Sequence, residues 1–330
     1  MKNCRTFLLS SVLFCLVLSL KSQKSLIDSV IHSDSLRHIV EVLAADSMEG
    51  RLTGSAGNQK AALYITHQFE KAGIYPIAGN RKYFIDIKPG WSNVVGAIPG
   101  KSKKGEIIIF SAHYDHIGTL RSNPFPRGLG GNAGVEKGDT VYNGANDNAS
   151  GVSAVISLAK YFKALNNNER TLIFVAFTGE EFGLLGSAFF AENILADSII
   201  AVINIEMIGR SESNKLKPYI TGPEKSNLKK LLNNNYQQLM DKKENEFIKD
   251  DPYKESFLFR RSDNYPFALK GIPAHSIMLS SPFDIYYHNL NDEAVTLDYD
   301  LMKKIVRSVA IAVNGLVTGT DTPKRIRKMY

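Results

Sequence analysis

IIIFSAHYDH, residues 107–116, decides how the fold is read. The run Ile107 to Ala112 has no polar face, as expected of a strand covered on both sides. Parallel sheets are buried in this way because their crossover helices pack on both faces. The polar cluster that follows at once, from His113 to His116, then stands at the carboxyl end of a strand, where open α/β sheets gather their ligands.

The same arrangement recurs along the chain. Short apolar runs of strand character occur at Asn93 to Ala97, Thr171 to Phe177, Ile199 to Ile205 and His275 to Leu279. Apolar periodicity predicts helices near Ser35 to Ala45, Gln59 to Ala72, Ser150 to Leu165, Lys225 to Met240 and Tyr299 to Val317. This alternation predicts a single α/β domain, a mixed, mostly parallel β-sheet flanked by helices on both faces. A chain of 330 residues is long enough to bury one such core. The stretch Thr119 to Asn143, rich in Gly, Pro and Asn, is a long loop of the kind that forms functional rims.

Lys2 and Arg5 precede the apolar run Phe7 to Leu20, which is short for a bilayer span and is followed by polar residues. It predicts a secretory signal peptide over residues 1–22, an exported (periplasmic or extracellular) mature chain over 23–330, and no stable membrane insertion after cleavage. An uncleaved anchor, or a lipid on Cys15, is the alternative. Both cysteines, Cys4 and Cys15, fall in this segment, so a mature chain has no disulfide or thiolate, and any metal must sit on His and carboxylate ligands. The formal charge of +7 falls to +4 without Lys2, Arg5 and Lys21. With no clustered basic stripe, that excess argues against a nucleic-acid partner.

Candidate chemistry gathers behind the strands. His113 and Asp115 form a His-x-Asp pair, in which a carboxylate can orient a metal-binding imidazole. Asp147 lies in a turn-prone run entering a helix, where it could cap the helix or bridge two ions. Glu180 and Glu181 are adjacent carboxylates behind a buried strand, a repulsion relieved if one binds metal and the other acts as base. Glu206 ends an apolar run, where metal coordination or a salt bridge to Arg210 would compensate its burial. His288 could be a ligand or a surface histidine. His32, His38, His67, His116 and His275 lack a carboxylate partner in a suitable setting and are read as ordinary histidines. Two imidazoles and three carboxylates at one sheet edge suit zinc, with manganese or cobalt as substitutes. Two ions ~3.5–4 Å apart can share a hydroxide and hold the attacked carbonyl.

From LAADSMEGRLTG at residues 43–54 through His288, the sequence resembles the co-catalytic di-zinc aminopeptidases of metallopeptidase family 28. The likeness is carried by the His-x-Asp pair, the GANDNASG run at 144–151, the TGEEFGLLGS run at 178–187 and the late Tyr-His. It implies the zinc-dependent exopeptidase, phosphorylase/hydrolase-like fold and a bare catalytic domain over 23–330. It implies two Zn²⁺ ions, one on His113 and Glu206, the other on Glu181 and His288, with Asp147 bridging. Asp115 would orient His113, and Glu180 would be the general base for hydrolysis of peptides or small proteins with a free N-terminus. Many members have Asp where Glu206 stands here. In place of the Tyr that some relatives carry before the Ser262-Asp263 pair, this chain has Phe259 and Arg260, so the metals, or a Tyr from another loop, would stabilise the oxyanion. Alternatives are a single-zinc glutaminyl-peptide cyclotransferase, for which Trp91 would have to supply the aromatic pocket, a carboxypeptidase gripping its substrate with Arg260 and Arg261, and a non-catalytic extracellular binding module.

Overall fold

Each of the five apolar runs forms a strand, and all five join one sheet. The computed structural model describes residues 25–77, 81–124, 138–211, 217–240 and 246–327. The expected signal peptide lies outside these residues, as do positions 125–137 of the long loop. The strands are β1 (Tyr75–Pro76), β2 (Phe84–Lys88), β3 (Trp91–Ile98), β4 (Lys103–His113), β5 (Arg170–Phe177), β6 (Ile199–Glu206), β7 (Tyr219–Ile220), β8 (Lys249–Asp250) and β9 (Ala274–Met278). Their order is β1-β3-β5-β4-β6-β9-β7-β8, with β2 also paired to β3. The four central strands, β5, β4, β6 and β9, are parallel, whereas β3 and β7 add to them antiparallel. The sheet is therefore mixed, with four parallel strands at its centre and a further short parallel pair, β7 and β8, at one edge.

Helices cover both faces, and β4, β5, β6 and β9 are accordingly buried along most of their length, with one buried polar row, Ser111–Asn204–Ser276. One face carries α1 (Ser33–Leu43), α2 (Ala56–Lys71), α3 (Gly151–Leu165), α5 (Leu228–Leu239) and α7 (Tyr299–Ala312), and its core contains Phe110, Phe162 and Phe174. The opposite face carries α4 (Leu185–Asn193) and α6 (Asn264–Leu269), packed through Phe177, Phe190 and Phe267. The predicted long C-terminal helix is broken: Val313, at φ −82° and ψ 0°, separates α7 from the short α8 (Asn314–Val317). The long loop is pinched at its base by an antiparallel bridge between Thr119 and Val141. No helix among the described residues is long and apolar enough to cross a membrane.

Candidate metal centre

The parallel strands deliver their polar residues to one edge. His113 is the last residue of β4, Glu206 the last of β6, and Glu180 and Glu181 follow β5 across Gly179, whose φ of 72° turns the chain. Asp147 sits in the turn Ala145–Ser150 before α3, and His288 follows β9 by a loop. His113 Nε2 stands 3.2 Å from Asp147 Oδ1 and 3.2 Å from Glu206 Oε1. His288 Nε2 stands 3.4 Å from Asp147 Oδ2 and 3.0 Å from Glu181 Oε2. All five expected ligands thus converge, and the two oxygens of Asp147 face different imidazoles. Glu206 takes no part in an ion pair with Arg210, which instead binds Asp284 and Asp292.

The donor set fits a pair of dications. Ligands held at the usual zinc bond lengths of ~2.0–2.1 Å in tetrahedral geometry lie ~3.3 Å apart, and the four separations above bracket that value. Their ligating atoms fall into compact groups, His113 with Asp147 and Glu206, and Asp147 with Glu181 and His288, each within 4.8 Å.

Buried scaffolding holds these side chains in place. The Asp115 carboxylate is 3.8 Å from His113 Nδ1, beyond hydrogen-bond reach, and it is the Asp115 main-chain oxygen, at 3.2 Å, that meets the ring. The carboxylate itself accepts the N–H groups of Glu180 and Glu181 at 3.2 and 3.3 Å and the Thr53 hydroxyl at 2.8 Å. Asp115 therefore orients the imidazole through its backbone and fixes the carboxylate turn through its side chain. The Asp147 carboxylate does not cap α3. That role falls to Asn148, whose Oδ1 accepts from Gly151 N–H at 3.0 Å while its amide donates to Ile205 O. Ser262 donates to Glu206 Oε2 at 2.8 Å. Arg51, completely buried, donates to the carbonyls of Leu43, Tyr114, Asn143 and Gly144, which ties the early motif to the floor of the site.

Electrostatics reflect a buried acidic cluster. Burial opposes charge on His288, but Glu181 and Asp147 outweigh it and raise its pKa to about 10. Burial likewise opposes charge on Glu181, yet His288 and His116 bring it down to about 2. His113 is raised well above its usual value, burial being overcome by Glu206 and Glu180. Without metal the His288 imidazole thus carries its proton at neutral pH, and ligation requires its loss. Proton release on zinc binding is therefore expected at pH 7, and affinity should rise with pH up to the region of 10. Calorimetry in buffers of different ionisation enthalpy measures this, and a buffer-independent enthalpy would contradict it.

One candidate was misread from sequence. His116 is completely buried, and its Nδ1 lies 3.1 Å from Glu181 Oε1 and 3.7 Å from Asp147 Oδ2. Its partners are remote in the chain, and only its place three residues after His113 hinted at this. His275 is a core histidine bonded to Thr221 O and Ser226, and His67 is exposed near Glu70.

Comparison with known proteins agrees with this geometry. The chain is 24% identical over 244 residues to the aminopeptidase YwaD of Bacillus subtilis, covering 72% of this chain and 47% of that protein. It spans less than half the length of the first curated relatives it matches. Among solved structures it superposes on an aminopeptidase from Aneurinibacillus sp. strain AM-1 (TM-score 0.63, 15% identity, 92% of this chain and 98% of that one). It superposes equally on a glutaminyl cyclase from Porphyromonas gingivalis (TM-score 0.65, 16% identity, 87% and 99%), so those likenesses establish the fold alone. Residues 93–313, which carry all five expected ligands, match the pattern of peptidase family M28, and the chain belongs to that family.

Proposed function

We propose that the protein is an exported zinc aminopeptidase whose mature domain, residues 23–330, removes N-terminal residues from peptides or small proteins. Two zinc ions would be held, one by His113 and Glu206 and the other by Glu181 and His288, with Asp147 available to both. The observation that carries this reading is the division of Asp147, one oxygen facing His113 and the other His288. Relatives named as aminopeptidases support it. When bound, such a pair supplies Lewis-acid polarisation of the scissile carbonyl and acidifies a water molecule.

The rest of the chemistry falls to side chains. A cavity of about 50 Å³ is lined by His113, Asp147, Glu180 and Glu206 with apolar walls from Leu258 and Met278. A groove of about 810 Å³ runs on from it, with Glu180, Arg261 and Tyr287 shared between the two. A terminal ammonium would meet the carboxylates of this cavity, while the rest of the peptide follows the groove. Glu180 accepts the proton of the attacking water and passes it to the leaving amine. Burial first, then Glu181, Asp263 and Glu206, push its pKa well up, which suits a base working near neutral pH. Tyr287, kept protonated by burial and the nearby carboxylates, is the Tyr from another loop that can donate to the developing oxyanion. Tyr287→Phe should lower kcat by ~10²–10³-fold, as loss of one oxyanion donor does, with zinc content unchanged. An unaltered kcat would remove Tyr287 from the mechanism.

Against the cyclase alternative, Trp91 packs on Phe182, with ring centroids 5.2 Å apart, and is not among the residues lining the cavity or the groove. The carboxypeptidase alternative retains one feature, since Arg260 and Arg261 line the groove and have no carboxylate partner among the described residues. Dipeptides blocked at either end decide. Hydrolysis should be lost on acetylating the amine and kept on amidating the carboxylate. The reverse pattern would make the enzyme a carboxypeptidase, and glutaminyl-peptide turnover without hydrolysis would make it a cyclase.

A further inference from the structure

Two imidazoles, not one, point at the Asp147–Glu181 pair. His288 Nε2 approaches Glu181 Oε2 at 3.0 Å and Asp147 Oδ2 at 3.4 Å. His116 Nδ1 approaches Glu181 Oε1 at 3.1 Å and the same Asp147 Oδ2 at 3.7 Å. The two rings stand edge to face, with centroids 5.6 Å apart.

The His116 ring is built into this place. It is completely buried and close against Gly144, where a Cβ would come within 2.6 Å of ring carbons. Its Nε2 has no hydrogen-bond partner among the described residues, so every polar interaction of the ring passes through Nδ1. The ring is completely buried, so it faces the two carboxylates and not the open groove. What remains for Nδ1 is a bond to Glu181 alone or to a cation lying between Glu181 and Asp147.

We propose that His116 is a third imidazole ligand of the metal pair, closing a four-donor position with Asp147, Glu181 and His288. The proposal rests on the two-ion reading above. The four ligating atoms lie within 4.8 Å of one another, and their N-to-O separations of 3.0–3.7 Å match neighbouring donors around a tetrahedral ion. The other position, His113, Asp147 and Glu206, has three donors and borders the small cavity. Sites closed by four protein ligands are the structural kind, while three ligands leave a place for water or substrate. The two ions are therefore unequal: the His116 position is closed and retentive, and the His113 position is open and reactive.

The test uses the full mature protein, labelled with ¹⁵N-histidine and loaded with Co²⁺, whose paramagnetism shifts the exchangeable N–H signal of each coordinated imidazole. Three shifted imidazole signals are expected, falling to two in His116→Asn with the others in place. The Asn amide can still donate to Glu181, so a role limited to that hydrogen bond would leave the signal count unchanged. Two signals in the wild type, or three persisting in the variant, would overturn the assignment while leaving the two-ion site intact. Failure of the wild type to take up cobalt would overturn both. The wild-type count does not depend on whether the variant folds.

Discussion

Glu180→Gln is expected to lower kcat by ~10²–10⁴-fold, the range attributed to a general base, while zinc content and substrate binding stay as they are. The substitution preserves shape. The hydrogen bonds that fix this turn run from the backbone N–H groups of residues 180 and 181 to Asp115, so they survive it. Only the capacity to hold a proton is removed. A second arrangement makes the measurement informative, since Glu180 also lies in a group with His113 and Glu181 that could hold an ion. Loss of zinc in the variant would make Glu180 a ligand, and unchanged turnover would place the base elsewhere. Steady-state kinetics together with elemental analysis separates the three outcomes.

Arg210→Ala should cost ~3–5 kcal/mol of stability, the usual effect of breaking a buried ion pair from one side. Arg210 binds Asp284 at 2.8 Å and Asp292 at 2.7 Å, and both carboxylates are almost fully buried. Asp292 also accepts the backbone N–H groups of Asn146 and Asp147, at 2.9 and 3.1 Å. The guanidinium therefore joins the loop carrying His288 to the turn carrying Asp147. Removing it strands two carboxylates and loosens two ligands together. A domain has only ~5–15 kcal/mol of net stability, so the urea midpoint should fall markedly and zinc should be lost more readily to a chelator. Arg210→Lys should recover only part of this, because an ammonium cannot span both carboxylates as the planar fork does. A midpoint shift worth less than ~0.5 kcal/mol, the scale of ordinary surface substitutions, would show that the network carries little.

The centre of the fold was legible because Ile107 to Ala112 and its three parallel neighbours lack a polar face, a pattern that burial on both sides requires. The edges were not. Strands of two residues, such as β7 and β8, have no periodicity to read. Helices α4 and α6 are nine and six residues long, too short to show a clear apolar period, and they are held as helices by packing through Phe190 and Phe267 on Phe177. At the site, residue types behind strand ends announced His113, Glu181 and Glu206, whereas Asp147, before a helix, and His288, in a loop, stood out only when weighed together with them. Backbone direction was hidden, so Asp115 meets His113 through a carbonyl where a carboxylate was expected. The spacing of Glu206 and Arg210 suggested a pair, but β6 ends at Glu206 and the chain carries Arg210 to Asp284 and Asp292. Partners far apart in sequence, as for His116 and Glu181 or Arg51 and the carbonyls of Asn143 and Gly144, leave no local trace.

The most direct test is elemental analysis of the purified mature protein, paired with hydrolysis of aminoacyl amides before chelation, after it, and after zinc is returned. Close to two zinc ions per chain, activity abolished with their removal and restored with their return, is the predicted result. Hydrolysis that persists in fully metal-free protein, or a chain loaded with two ions that cleaves no substrate bearing a free amine, would contradict it.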